Sequence, residues 1–198
     1  MGRGQLLAPP GARSAAPTPA QSRVVDAALK LFAEHGVGGT SLQMIAEEIG
    51  VTKAAVYHQY RTKVEIVRAV AEAELDRLET VLDEAEAEAA GGAALGPDAV
   101  VARIVDLAVE RRRQVSTLLN DPVIGRLYAG DRRLLRALDR LNGLLMGPGA
   151  GPESKVATAM LSAAISGAVM HPLVADQDDA TLRTYLVRIA RRFLDLPA

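Results

Sequence analysis

The chain has 198 residues, 49% hydrophobic and 24% charged, which is enough apolar material for one large core or two smaller ones in a soluble globular protein. Its formal net charge of −1 hides an asymmetry: residues 1–63 carry +3 and the remainder −4, so any attraction for an anionic partner belongs to the front. The absence of cysteine excludes disulfides, thiolate zinc sites and cysteine nucleophiles, and fits a reducing, cytoplasmic setting.

Residues 1–18 are rich in Gly, Pro, Ala and Ser and have only a three-residue apolar run, too short for a signal-peptide core, so they read as a mobile arm. Beyond them the signals are helical and no strand-like alternation competes. Three reciprocal capping boxes are expected at Thr18 with Gln21, Thr40 with Gln43, and Thr62 with Glu65. Pro97, Pro122 and Pro152 mark three further starts, since a first-turn proline gives up an N–H that would be unpaired there. About nine helices follow from period and breaker signals. Helical apolar spacing is clear in Val24, Val25, Ala28, Leu31 and Phe32, and again in Leu182, Tyr185, Leu186, Ile189 and Phe193. Val156–Val174 is the one span apolar enough to raise a membrane question. Its Ala, Gly, Thr and Ser content favours a buried helix instead.

The segment "TSLQMIAEEIGVTKAAVYHQY" has the pattern of helix, tight turn, helix. Leu42, Ile45 and Ile49 form one apolar face, Gly50 can take a positive φ, and Thr52 can cap a second short helix. Val51, Val56 and Tyr60 point inward, with small Ala46 at the crossing of the two helices. Thr52, Lys53, Ala54, Tyr57 and His58 are left on the other side. Hydroxyls, a cation, a small residue and a histidine on one exposed helix suit phosphates and base edges in a major groove, the competing reading being an ordinary solvated face. Thr40, Ser41 and Gln43, at the start of the preceding helix, join this DNA-facing set. Thr62, capped with Glu65, would aim the positive end of the next helix and the charge of Lys63 at a phosphate.

Residues 23–70, especially "ALKLFAEHGVGGTSLQMIAEEIGVTKAAVYHQYRTKVEIV", resemble the DNA-binding domain of TetR-type transcriptional regulators, with matching Phe32, Gly36, Thr40, Ile45, Ala46, Gly50, Val51, Tyr57 and Lys63. The resemblance implies an all-helical homodimer, an N-terminal helix-turn-helix, and a larger C-terminal domain that binds a small effector. It also implies that Tyr57 and Lys63 hold the DNA backbone. Tyr60 stands where the family usually has Phe, and Arg61 where Pro or Lys is common; Arg61 could add a phosphate contact. The expected organisation is therefore all-α: a flexible arm over residues 1–18, a three-helix DNA-binding domain over 19–66, and an effector-binding and dimerisation domain over 67–198.

Within that larger domain, the acidic run "AEAELDRLETVLDEAEAEA" reads as the solvated face of a long helix, and "ERRRQ" as a solvated or ion-paired one. An effector cavity is expected between the middle helices, with Leu118, Tyr128, Leu145, Met146 and Met160 as flexible or amphipathic lining; core packing is the competing reading for each. Ala159, Ala163 and Gly167, four apart, permit close helix approach. The resemblance assigns the last two helices to a dimer interface, and the stripe Leu182, Tyr185, Leu186, Ile189, Phe193 is compatible with that. His171, before Pro172, reads as a histidine capping the last carbonyls of a helix.

Enzyme chemistry finds no constellation. "GVGGTS" lacks the lysine of a phosphate loop, the three histidines share no ligand spacing, and no Gly-x-Ser-x-Gly elbow occurs. No cofactor or metal is expected. The sequence points to a DNA-binding regulator, a repressor working as a homodimer on a near-palindromic double-stranded operator and released by an apolar or amphipathic effector. The alternative is a helical small-molecule-binding or interaction protein without specific operator binding.

Overall fold

A computed structural model describes residues 17–91, 96–112 and 130–195, with Ile124, Arg126 and Tyr128 between the last two stretches. Among these residues there are eight α-helices, one 3-10 turn and no strand. The N-terminal arm expected over residues 1–18 lies almost wholly outside the described residues, as do Pro122 and Leu118.

Helix α1 (Pro19–Gly39) starts on the expected box. Thr18 Oγ1 accepts from the Gln21 N–H while Gln21 Oε1 accepts from the Thr18 N–H, so two otherwise unpaired donors are satisfied at once. Its stripe of Val24, Val25, Ala28, Leu31 and Phe32 is buried. Gly36, at φ 71°, breaks the helical path before the last turn. Helix α2 (Leu42–Glu48) and helix α3 (Lys53–Gln59) follow, joined by a turn in which Gly50 takes φ 69° and the Val51 N–H donates to the Ala46 carbonyl at 2.9 Å. The box expected at Thr40 does not form. Ser41 is the cap of α2, accepting from the Met44 N–H, and Thr40 is buried.

Helix α4 (Lys63–Ala90) has 28 residues, about 42 Å of rise, and belongs to two cores. Ile66, Val67 and Val70 close a first core with α1, α2 and α3, against which Ile124 and Tyr128 also pack. Leu75, Leu82 and Ala85 enter a second core with α5 (Pro97–Glu110), α6 (Arg132–Met146), α7 (Pro152–Ala168) and α8 (Asp179–Phe193). Pro97 and Pro152 stand in the first turns of α5 and α7, as expected. The first core thus extends to Val70, past residue 66, because the helix continues unbroken through that point.

The acidic run of α4 is not the solvated face expected of it. Arg133 makes a bidentate pair with Glu79, at 2.8 and 2.6 Å, and also holds Asp76. One heptad on, Arg140 pairs with Glu86 at 2.8 and 2.8 Å and with Asp83 at 2.6 Å. From α5 and its C-cap, Arg103 holds Glu88 at 2.6 Å and Arg111 holds Glu74. The order of these partners makes α6 parallel to α4 and α5 antiparallel to it. The reason for the departure is that the arginines come from distant segments, which helical periodicity within α4 does not register. The run Glu110–Gln114 is ion-paired where described: Arg112 reaches the Asp179 carboxylate of α8 at 2.9 Å.

His171 also departs from its expected role. It caps the 3-10 turn Pro172–Val174 from the N-terminal side, its Nδ1 accepting from the Leu173 N–H at 3.2 Å, so it serves the next element and not the end of α7. No described helix is long and apolar enough to cross a membrane.

Replacing Arg133 with Ala should lower the unfolding free energy by about 2 kcal/mol or more, because Glu79, only 9% exposed, loses its bidentate partner. The paired change Arg133→Met with Glu79→Met should recover most of that loss; urea unfolding followed by circular dichroism measures both. Tyr128, whose hydroxyl donates to the Ala71 carbonyl at 3.0 Å, supplies a pH test. Burial, assisted by the charge of Glu74, pushes its pKa up from 10.0 to about 12. The fold therefore favours the neutral phenol, a contribution present in full below pH 10 and lost as the pH rises to about 12. Tyr128→Phe should remove the last-ionising step from an alkaline absorbance titration and flatten the fall in stability across that window.

Candidate nucleic-acid interface

The short helix α3 buries one side chain, Val56, against α1 and α2. Tyr60 and Val51 lean on the same core, and Ile45 and Ala46 of α2 are fully buried beneath. With the apolar residues committed inward, Thr52, Lys53, Ala54, Tyr57 and His58 are all exposed, and they share the outer face expected of them. Thr52 Oγ1 accepts from the Ala55 N–H at 3.2 Å and so caps the helix, leaving its hydroxyl proton to donate outward. Beyond α3, the Arg61 guanidinium stacks over the Tyr57 ring at 5.7 Å, which holds the tyrosine and a cation together at one edge.

The residues flanking this face divide. Ser41 and Gln43 are exposed, although the Gln43 amide donates to Glu47 at 2.7 Å within its own helix. Thr40 is 2% exposed, so its side chain is not part of the surface. Its hydroxyl donates to the Gly36 carbonyl at 2.9 Å and lies 3.2 Å from that of Leu31, since a buried hydroxyl needs an acceptor and the end of α1 supplies them. Lys63 also turns away from its expected direction. Its ammonium donates to the carbonyls of Val37 at 2.8 Å, Gly38 at 3.3 Å and Thr40 at 2.9 Å, the nearest negative dipole ends. The box at its helix start is shifted by one: Thr62 caps the Glu65 N–H, but Glu65 Oε2 accepts from the Arg61 N–H at 2.8 Å.

Two cross-braces escaped the sequence reading. Arg23 donates to the Ile49 carbonyl at 3.0 Å and Lys30 pairs with Glu48 at 2.7 Å, both tying α1 to the end of α2. Each is one ordinary charge on a polar face, so no local pattern marked it.

In the second domain the four described members of the expected pocket set, Tyr128, Leu145, Met146 and Met160, do not share one cavity. Leu145 lines a cavity with Val101, Ile104, Leu141, Leu161, Ser162 and Ile165. Met146 packs beside this core, Tyr128 belongs to the first core, and Met160 is 55% exposed on the opposite side of α7. The cavity measures about 10 Å³, room for roughly one water. The last-helix stripe also divides. Leu182 and Leu186 turn into the chain's own core with Ala190, one helical row, while Tyr185, Ile189 and Phe193 form a second row that is 43%, 59% and 45% exposed. Ala159, Ala163 and Gly167 are likewise exposed, beside Val156 and Met160.

Residues 24–70 match the family model described as bacterial regulatory proteins, tetR family. Over 50 residues the chain is 42% identical to the HTH-type transcriptional regulator SrpR of Pseudomonas putida, covering 25% of this chain and 24% of that protein. Over 48 residues it is 38% identical to the biofilm operon icaADBC HTH-type negative transcriptional regulator IcaR of Staphylococcus epidermidis, covering 24% and 26%. The matched stretch thus spans about a quarter of these relatives' length. The fold as a whole resembles a transcriptional regulator of the TerR/AcrR family from Aquifex aeolicus VF5, with a TM-score of 0.70 at 14% identity over 87% of this chain and 98% of the other. It also resembles the fatty acid degradation regulator FadR from Bacillus halodurans, with a TM-score of 0.64 at 17% identity over 87% and 95%. Residues 24–70 are thus similar to the helix-turn-helix domain of the tetR family of bacterial regulatory proteins, and the chain as a whole shares its helical fold with the two solved structures.

Proposed function

We propose that this chain is a sequence-specific DNA-binding transcriptional regulator of the cytoplasm, a repressor released from a near-palindromic operator by a small effector. The observation that carries the reading is the outer face of α3, where Thr52, Lys53, Ala54, Tyr57 and His58 are exposed while Val56 alone is buried. A helix so presented can enter a major groove, with Lys53, Ala54 and His58 against base edges or thymine methyls and Thr52, Tyr57 and Arg61 on the backbone. Ser41 and Gln43 flank it from α2. IcaR, similar over this domain, is named a negative regulator, which supports repression.

One such helix reads few base pairs, so useful specificity calls for two copies. The apolar side chains left in solvent on α7 and α8, Val156, Met160, Tyr185, Ile189 and Phe193, support an isologous homodimer. An apolar or amphipathic effector is proposed to widen the small cavity among α5, α6 and α7 and, through the α6 arginines on α4, to re-aim the two readers.

Selection of bound sequences from random DNA is the decisive experiment: a palindromic motif supports the reading, and recovery of none favours a helical small-molecule-binding protein without an operator. Given a motif, Lys53→Ala or His58→Ala should change preference at one position per half-site by roughly 1 to 3 kcal/mol, read by competition anisotropy on single-base variants. Ile189→Asp should leave the chain folded but monomeric by light scattering and weaken operator binding by about a hundredfold or more, the second half-site being lost.

A further inference from the structure

We infer that Lys63 is a positioning residue: its ammonium fastens the end of α1 to the start of α4 and so aims the α2–turn–α3 unit, without itself touching phosphate. The inference rests on the DNA binding proposed above and deepens it. An ammonium has three donors and no acceptor. Here the Lys63 ammonium meets three carbonyl oxygens, those of Val37, Gly38 and Thr40 at 2.8, 3.3 and 2.9 Å, so no proton is left for a ligand.

These carbonyls lie where the chain leaves α1, at the negative end of a helix, and a cation there offsets both the dipole and the unpaired acceptors. Releasing the lysine to a phosphate would take a charged donor from all three. Thr40 is gripped from two sides: its hydroxyl donates to the Gly36 carbonyl of α1, and its own carbonyl accepts from the lysine of α4. The next residue, Ser41, is the cap of α2. The entry direction of α2 is therefore set at a peptide that α1 and α4 hold together. Because Ile45, Ala46 and Val56 are fully buried in one core, α3 follows α2 as a unit. The outer face of α3 is thus aimed by a knot on the inner side of the domain.

A phosphate contact and a fastening separate cleanly in a salt series. The wild type, Lys63→Gln, Lys63→Arg and, as a control for a lost phosphate contact, Arg61→Gln would be compared by fluorescence anisotropy on the selected duplex and on a scrambled duplex, at a temperature where circular dichroism shows every variant folded. Amide hydrogen exchange over residues 36–42 would be followed in the same samples. Both Lys63 variants should quicken exchange there and weaken the selected duplex by about tenfold or more, while binding to the scrambled duplex and its salt slope stay unchanged. The planar guanidinium does not reproduce three convergent donors, so Lys63→Arg should fail as Lys63→Gln does. Arg61→Gln, at a residue proposed on the backbone, should lower the salt slope by about one unit on both duplexes.

If Lys63→Gln loses about one unit of slope on both duplexes and Lys63→Arg binds like the wild type, the lysine lies on phosphate and the inference is overturned. Unchanged affinity for the selected duplex in both variants would reduce the knot to a structural one and defeat the aiming role. Should Lys63→Gln not fold, Lys63→Arg alone decides, since the two readings give it opposite outcomes. A wild type that binds neither duplex defeats the DNA-binding reading, and the aiming role with it. Exchange rates then still decide the fastening, which unchanged rates in the variants would disprove.

Discussion

Helix α4 is common property of two cores, and the rest of the molecule is arranged around that constraint. Ile66, Val67 and Val70 are packed among α1 to α3, and one turn later Leu75 is packed among α5 to α8. A helix that is buried at both ends by different partners transmits displacement, because its backbone bonds resist stretching more than side-chain contacts resist slipping. Tyr128 sits at the changeover, its hydroxyl on the Ala71 carbonyl and its ring on the first core. Neither half can be repacked without an effect on the rod that joins them.

The charged side of α4 explains how a helix with so many carboxylates can lie inside a bundle. Glu79 and Glu74 are mostly buried, and isolated carboxylates there would be costly. Each is met by a guanidinium whose two-pronged geometry matches a carboxylate, supplied by α6 to Glu79 and by α5 to Glu74. Such pairs add less to net stability than the same area of apolar contact would. What they add is direction, since a bidentate pair is satisfied in only one relative orientation.

What could be read from the sequence was what is local. The α2–turn–α3 unit was readable because its parts are fixed within a few residues: Gly50 for the positive φ, Thr52 as cap, Ile45 and Val56 as inward anchors. Contacts across long stretches of chain were not. Nothing near Glu79 announces Arg133, and nothing near Lys63 announces the carbonyls of Val37 to Thr40. The last helix shows a subtler loss. Its apolar residues at 182, 185, 186, 189 and 193 were read as one stripe, but that width covers two rows, one turned to the chain's own core and one to solvent. Periodicity identifies that a helix has an apolar side; it does not say how many neighbours divide it.

The spacing of the arginines that grip α4 has a metrological consequence. On α6 the rungs repeat every seven residues, and so do their carboxylates, so a slip of α6 along α4 by one heptad, about 10 Å, would bring Arg133 to the carboxylates that Arg140 now holds. A ladder of equal steps measures position only to within a step. The α5 rungs do not share that step: Arg103 and Arg111 are eight residues apart, while Glu88 and Glu74 are fourteen. Two scales of unequal graduation, one on each side of the same rod, coincide at a single reading, in the manner of a vernier. The heptad slip that the α6 ladder alone would allow is therefore excluded by the α5 rungs, which it would leave unmatched.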